Sequence, residues 1–284
     1  MVRLQGGLGN QLFQYATGFC IARQSSRRLF LDLSLLEARN DPGITPRSFA
    51  LDRFPISGEI VAPQDARRFR IPRPGWSTRL TRRGLPFPGR HYVFERSKIC
   101  DTSQFRTRDK FLLLDGFWQS EGYFQSCRAV LLQELRSPPV PAEFHKKAAV
   151  SVHVRRGDYV SNPLATAFHG VCDFGYYRRA FAAIESRVAD PFYYLFTDDP
   201  EWVSANSDAF ARKFTLVSDG SLSAHEELAR MSACQHHLLA NSSFSWWGAW
   251  LGAQDPDVVI VAPAAWFRQE TLAPDLLPER WTQV

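Results

Sequence analysis

From residue 148 to residue 263 the chain repeats one pattern: a short apolar run, a turn, then a stretch with apolar residues at helical spacing. "AAVSVHV" (148–154), "PFYYLFTDD" (191–199), "KFTLVSD" (213–219), "HHLLANSS" (236–243) and "DVVIVAP" (257–263) read as strands. "FGYYRRAFAAIESRV", "LARMSAC" and "FSWWGAWLGA" read as helices between them, the first with Tyr177, Ala180, Phe181, Ile184 and Val188 on one face. Asp173 and Asp199 stand where helix caps belong, Pro200 suits a first helical turn, and Ser223 with Glu226 spells a capping box. Apolar strands alternating with helices require a parallel sheet covered on its faces. That restricts the chain to the α/β class.

The first half starts in the same way. "VRLQ" is a short strand, and Asn10 opens a helix with Leu12, Phe13, Ala16, Phe19 and Arg23 on or near one face. "RRLFLDLS" (27–34) and "FLLLDGFWQ" (111–119) are strands, "SEGYFQSCRAVLLQELR" (120–136) is a helix, and residues 40–110 read as irregular. "SPPVPAEFH" (137–145) then interrupts both periodicities, as a linker does. The 284 residues, 45% of them hydrophobic, supply apolar material for two cores. The expected domains are 1–140, an N-terminal α/β domain with an irregular basic insertion, and 141–284, a C-terminal Rossmann-like domain.

Residues 1–140 carry 22 Lys and Arg against 12 Asp and Glu, a net +10; residues 141–284 carry 12 against 17, a net −5. Ten basic residues and one acid, Glu95, lie between Arg67 and Lys98. A run of this kind is ordinarily a solvated face. The sharper reading is a patch meeting an anionic surface, including peripheral contact with a membrane or a lipid-linked glycan. Nucleic acid is disfavoured, because the excess is local and the other half is acidic. No apolar run reaches the length of a membrane span, and the start lacks a signal-peptide apolar region. Five scattered cysteines without a CxxC pair read as free thiols in a reducing compartment, hence the cytoplasm.

In open parallel sheets, ligands bind beyond the carboxyl ends of the strands. Four unusual clusters fall there: "GGLGNQ" (6–11), "HVRRGD" (153–158), "TDD" (197–199) and "NSSFSWW" (241–247). The glycine turn lets backbone approach a ligand and presents helix N–H groups to an anion, although a tight turn alone would also explain it. Alternation sends His153 and Arg155 to one side of their strand and Arg156 to the other. Arg155 is suited to clamp phosphate oxygens, whereas Arg156 with Asp158 makes a structural pair. Asp199 has a capping role and Asp198 has none, so Asp198 is left to accept hydrogen bonds from a nucleoside. Asn241, Ser242 and Ser243 place hydroxyls and amides at a helix start, while Trp246, Trp247 and Trp250 fit packing better than ligand stacking. No nucleophile motif or metal-ligand spacing occurs. The lone D-x-D, Asp255 to Asp257, precedes a strand, the wrong end for a metal-phosphate site, so no metal is expected. "RGD" as an adhesion tripeptide is dismissed, since it closes a buried strand.

Together, "GGLGNQLFQYA", "HVRRGDYV", "FTDD" and "NSSFSWWGAWL", in this order and spacing, resemble bacterial α-1,2-fucosyltransferases. The resemblance implies two Rossmann-like domains facing a cleft, the GT-B-type architecture. It implies GDP-β-L-fucose as donor, a galactoside acceptor, and inversion at the anomeric carbon with no cofactor or metal. By motif, His153 and Asp198 would contact guanosine. Arg155, Ser242 and Ser243 would hold the pyrophosphate, and Gly7, Gly9, Asn10 and Gln11 would meet phosphate or fucose. Asp158 is the proposed base, with pairing to Arg156 or capping of the next turn an equal alternative and Glu95, Asp115, Glu121 and Asp173 unranked rivals. The competing functions are a GDP-sugar transferase of different linkage and a nucleotide-binding protein without turnover.

Overall fold

The computed structural model describes residues 1–37, 47–61, 89–95, 99–268 and 275–284. Most of the basic 67–98 stretch lies outside the described residues. The chain divides into two compact units, Met1–Arg136 with Ala273–Leu276, and Ser137–Leu272 with Leu277–Val284. The division falls at the first residue of the proline-rich segment.

Unit 1 holds a parallel sheet of β1 (Val2–Arg3), β2 (Phe30–Asp32), β3 (Glu59–Ile60), β4 (Arg90–Phe94) and β5 (Phe111–Asp115). Their order is β3-β2-β1-β5-β4. The Leu8–Gln24 helix packs Leu12, Phe13, Tyr15 and Ala16 into its core. At the carboxyl ends of three strands, the buried Arg3 donates to Asp32 Oδ2 at 2.8 Å and Asp115 Oδ2 at 3.0 Å. One guanidinium thereby ties β1 to both neighbours.

Three expectations are corrected here. Residues 40–110 are not uniformly irregular, since β3 and β4 arise there. β3 is two exposed residues, and only Val93 and Phe94 of β4 are buried, so neither shows a strand period. The single helix expected over 120–136 is two 3-10 turns, Glu121–Tyr123 and Gln125–Cys127, followed by the Arg128–Glu134 helix. Nor are all five cysteines free: Cys20 and Cys127 form a disulfide, with Cα atoms 5.7 Å apart. That separation is ordinary for a disulfide. Packing of the Leu8–Gln24 helix beside the 125–127 turn creates it, and a separation of 107 positions along the chain hides it from the sequence.

Unit 2 holds β6 (Ala149–Val154), β7 (Phe192–Thr197), β8 (Phe214–Leu216), β9 (His236–Leu238), β10 (Ile260–Ala262) and β11 (Thr282–Gln283). The order is β11-β10-β9-β6-β7-β8, all parallel. The chain starts in the middle at β6, builds outward through β7 and β8, then returns to lay β9, β10 and β11 on the other side. This is the doubly wound order, with its switch point between β6 and β9. All six residues of β6 are buried, the signature of a strand covered on both faces.

The helix starts follow the expected cap chemistry. Asp173 accepts from Tyr176 N at 2.7 Å, Asp199 from Trp202 N at 3.1 Å, and Ser223 with Glu226 closes a capping box. Trp246, Trp247 and Trp250 of the Ser243–Gly252 helix are wholly buried. At roughly 200 Å² of burial each, every indole contributes about 5 kcal/mol of gross transfer energy.

Candidate active site

At the carboxyl end of β6, Arg155 and Arg156 turn to different partners. The Arg155 guanidinium donates from Nη2 to Asp158 Oδ1 at 2.5 Å and from Nη1 to Asp198 Oδ2 at 2.9 Å, and lies 5.2 Å from the centre of the Tyr159 ring. Its Nε is buried and has no hydrogen-bond partner among the described residues. Burial opposes the charge, but Asp198, Asp158 and Tyr159 outweigh it and hold the pKa above the ordinary arginine value. Arg156 donates from Nε to Asp199 Oδ2 at 3.1 Å and stacks 3.8 Å from the Trp202 ring, while its backbone N–H donates to Asp198 Oδ1 at 2.8 Å.

Two sequence readings change as a result. Asp158 is the partner of Arg155, and Arg156 takes Asp199. Asp198 does have a structural role: one oxygen orders the turn at Arg156 and the other holds Arg155. Gly157 makes this possible, because a Cβ there would overlap the Asp198 carboxylate.

His153, one pleat back, is buried, with its ring 5.8 Å from Phe244 and its carbonyl accepting from Tyr177 Oη at 3.0 Å. Burial, with Arg155 adding to it, lowers its pKa to about 3, so the imidazole is neutral. Its Nδ1 is buried and has no hydrogen-bond partner among the described residues.

Across the switch point, β9 leads into the Ser243–Gly252 helix. Ser242 caps it by accepting from Phe244 N at 3.3 Å, and Ser243 is half-buried in its first position. The first-turn N–H groups of a helix lack intrahelical acceptors and favour an anion. Asn241 departs from expectation. Its Nδ2 donates to the carbonyls of His169 (3.0 Å), Gly170 (3.3 Å) and Trp266 (3.2 Å), pinning loops instead of facing a ligand. Tyr159, which sequence reasoning missed, spans the switch point: its hydroxyl donates to Asn241 O at 3.1 Å and its ring stacks on His169 at 4.4 Å. Its place right after "RRGD" was the available signal.

In unit 1 the glycine turn follows β1. Gly6 adopts φ +77°, with the Asn10 side chain packed where a Cβ would lie, and the space above Gly7 is open. Gly9 is buried in the first helical turn. Asn10 Oδ1 accepts from Gln119 Nε2 at 2.8 Å. Gln11 is a correction. Its buried amide donates to Gly6 O (2.9 Å) and Ser48 O (2.8 Å) and accepts from Ala50 N (2.9 Å), so all of it is spent on the chain. Of the rival bases, Glu95 accepts from Phe117 N and Trp118 N, Asp115 holds Arg3, and Asp173 is a cap.

An arginine after β6 and a capped helix start after β9 flank the switch point of a Rossmann-ordered sheet, the arrangement α/β proteins offer to phosphate groups. The chain belongs to glycosyl transferase family 11, whose model matches residues 87–283. It is therefore a glycosyltransferase. It is 31% identical over 299 residues to an alpha-1,2-colitosyltransferase of Escherichia coli, covering 100% of this chain and 98% of that one. It is 28% identical over 291 residues to the O-antigen biosynthesis glycosyltransferase WbnK of Escherichia coli, covering 93% of each. The mouse galactoside 2-alpha-L-fucosyltransferase Sec1 is 26% identical over 256 residues, covering 89% of this chain and 64% of the mouse protein.

Proposed function

We propose that this glycosyltransferase moves L-fucose from GDP-β-L-fucose to the 2-hydroxyl of a terminal β-galactose, with inversion and without a metal. The observation that carries the reading is Arg155: a guanidinium at the switch point, braced by two carboxylates, with a buried Nε left to donate. Breaking the sugar–phosphate bond places negative charge on the departing diphosphate. A preorganised guanidinium and helix N–H groups stabilise that charge, the service a divalent ion can perform elsewhere. Ser242 and Ser243 hold the helix start in place for the diphosphate.

An incoming phosphate competes with Asp158 for Nη2 of Arg155. Once displaced from Nη2, the Asp158 carboxylate takes the proton of the acceptor hydroxyl, while Asp198 keeps its grip on Nη1. The same loop thus couples donor arrival to base release.

The full-length relative named for colitose favours a second reading, in which the transferred sugar lacks the 3-hydroxyl of fucose. Incubation with lactose and either GDP-fucose or GDP-colitose, followed by linkage analysis, decides between them. An α-1,2-fucosylated trisaccharide supports the first reading, and product from GDP-colitose alone supports the second. Turnover with neither, despite tight GDP binding, defeats both.

A further inference from the structure

The two carboxylates at the end of β7 are already committed, Asp198 to Arg155 and the Arg156 amide, Asp199 to Arg156 and its helix cap. Beyond β8, Asp219 accepts from Ser221 and Glu226 from Ser223, which leaves Glu227, in the first turn of the Ala224–Ala233 helix, as the acid outside those local caps. It is half-buried. The Ser218 hydroxyl hydrogen-bonds its carboxylate, and Ser218 Oγ in turn accepts from Thr197 N at 3.0 Å. The buried Ser218 therefore fixes Glu227 to the end of β7, one residue from Asp198.

The sheet order sets what reaches that position. With the diphosphate held at the β6–β9 switch point, a nucleoside directed to the β7 side would lie over β7 and then β8. Two strand spacings, roughly 10 Å, separate β6 from β8. In that direction the ribose would fall to the first spacing and the base to the second. A carboxylate offers two acceptors side by side. Guanine answers with two adjacent donors, N1–H and the 2-amino group, whereas adenine and the pyrimidines present no such pair on one edge.

We infer that Glu227, oriented by Ser218, reads the guanine edge of the donor nucleotide and is the specificity-determining residue for the base. This rests on the GDP-sugar assignment above and transfers the base contact from Asp198 to Glu227. Burial raises the Glu227 pKa, with Ser218 opposing, as suits a carboxylate half withdrawn from water and kept for a partner.

Titration calorimetry of GDP, IDP and 2′-deoxy-GDP against the wild type and Glu227→Gln tests it. IDP lacks only the 2-amino group. The wild type is expected to prefer GDP over IDP by about tenfold or more. In Glu227→Gln, GDP should weaken by a similar factor and the preference should shrink to within about twofold, with thermal unfolding confirming that the variant is folded. The wild-type arm needs no variant: IDP binding as tightly as GDP overturns the inference. So does an unchanged GDP-to-IDP ratio in Glu227→Gln, or loss of sensitivity to the 2′-hydroxyl in place of the amino group. A wild type that prefers uridine or thymidine diphosphate to GDP overturns the donor assignment itself, and this inference with it.

Discussion

The carboxylate of Asp198 occupies the space that Gly157 leaves by having no side chain. The close approach is what lets one carboxylate reach both the Arg156 amide and the Arg155 guanidinium. Gly157→Ala should push Asp198 aside and release Nη1 of Arg155. A misplacement of about 1 Å is expected to lower kcat/KM about 10²-fold. The stability loss should stay within about 1–3 kcal/mol, as for other local overpacking. Steady-state kinetics with urea unfolding of the same sample checks both halves.

Arg155→Ala removes the proposed leaving-group clamp. Turnover should fall about 10²–10³-fold, roughly 3–4 kcal/mol, in a protein that stays folded. Near wild-type transfer by a folded variant would sink the clamp assignment.

Asp158→Asn separates proton acceptor from brace. If displacement from Nη2 frees the carboxylate to act as base, kcat falls about 10²-fold or more. GDP affinity is meanwhile unchanged or improved, because a competitor for the guanidinium has gone. Weakened GDP binding with a kcat loss under about tenfold would make Asp158 a brace alone.

Arg3 joins Asp32 and Asp115 in the interior of unit 1. Arg3→Leu leaves two carboxylates facing each other without their cation. Breaking a buried pair in this way costs about 3–5 kcal/mol. A lowered urea midpoint for the unfolding of unit 1 is the expected result.

His153 and His237 are buried with pKa values lowered to about 3, by burial first and then by Arg155 and His236 respectively. In the unfolded chain both titrate near 6.5. Between about pH 3 and 6.5 the unfolded state therefore binds more protons, and stability falls as the pH falls. The slope is on the order of 1.4 kcal/mol per pH unit per histidine. Urea midpoints should drop from about pH 6.5 downward, well above the carboxylate range, and His237→Asn should shrink the slope.

Much of unit 2 was legible because its central strands are covered on both faces and its helices carry explicit caps. "AVSVHV" and the Ser223–Glu226 box each state their structure locally. The candidate site was legible as a set of strand ends, since Arg155 and Ser242 follow β6 and β9 in sequence. Partner choice was not. Whether Asp158 takes Arg155 or Arg156 depends on how the turn at Gly157 folds. Asn241 and Gln11 are polar residues beside glycine and serine runs, and only the folded loops show that their amides hold backbone. Strands β3 and β4 were missed because a short strand gains its pattern from its neighbours.

Asp275 and Leu276 come late in the chain, yet they belong to unit 1, where Asp275 accepts from the Cys100 N–H at 2.7 Å and Leu276 is buried. The polypeptide then rejoins unit 2 to add β11. Cutting at Arg136 would thus not yield two intact halves: the amino-terminal fragment would lose an anchoring carboxylate and an apolar plug, and its counterpart would trail a displaced strap. Expression as a single piece is built into the threading of this enzyme.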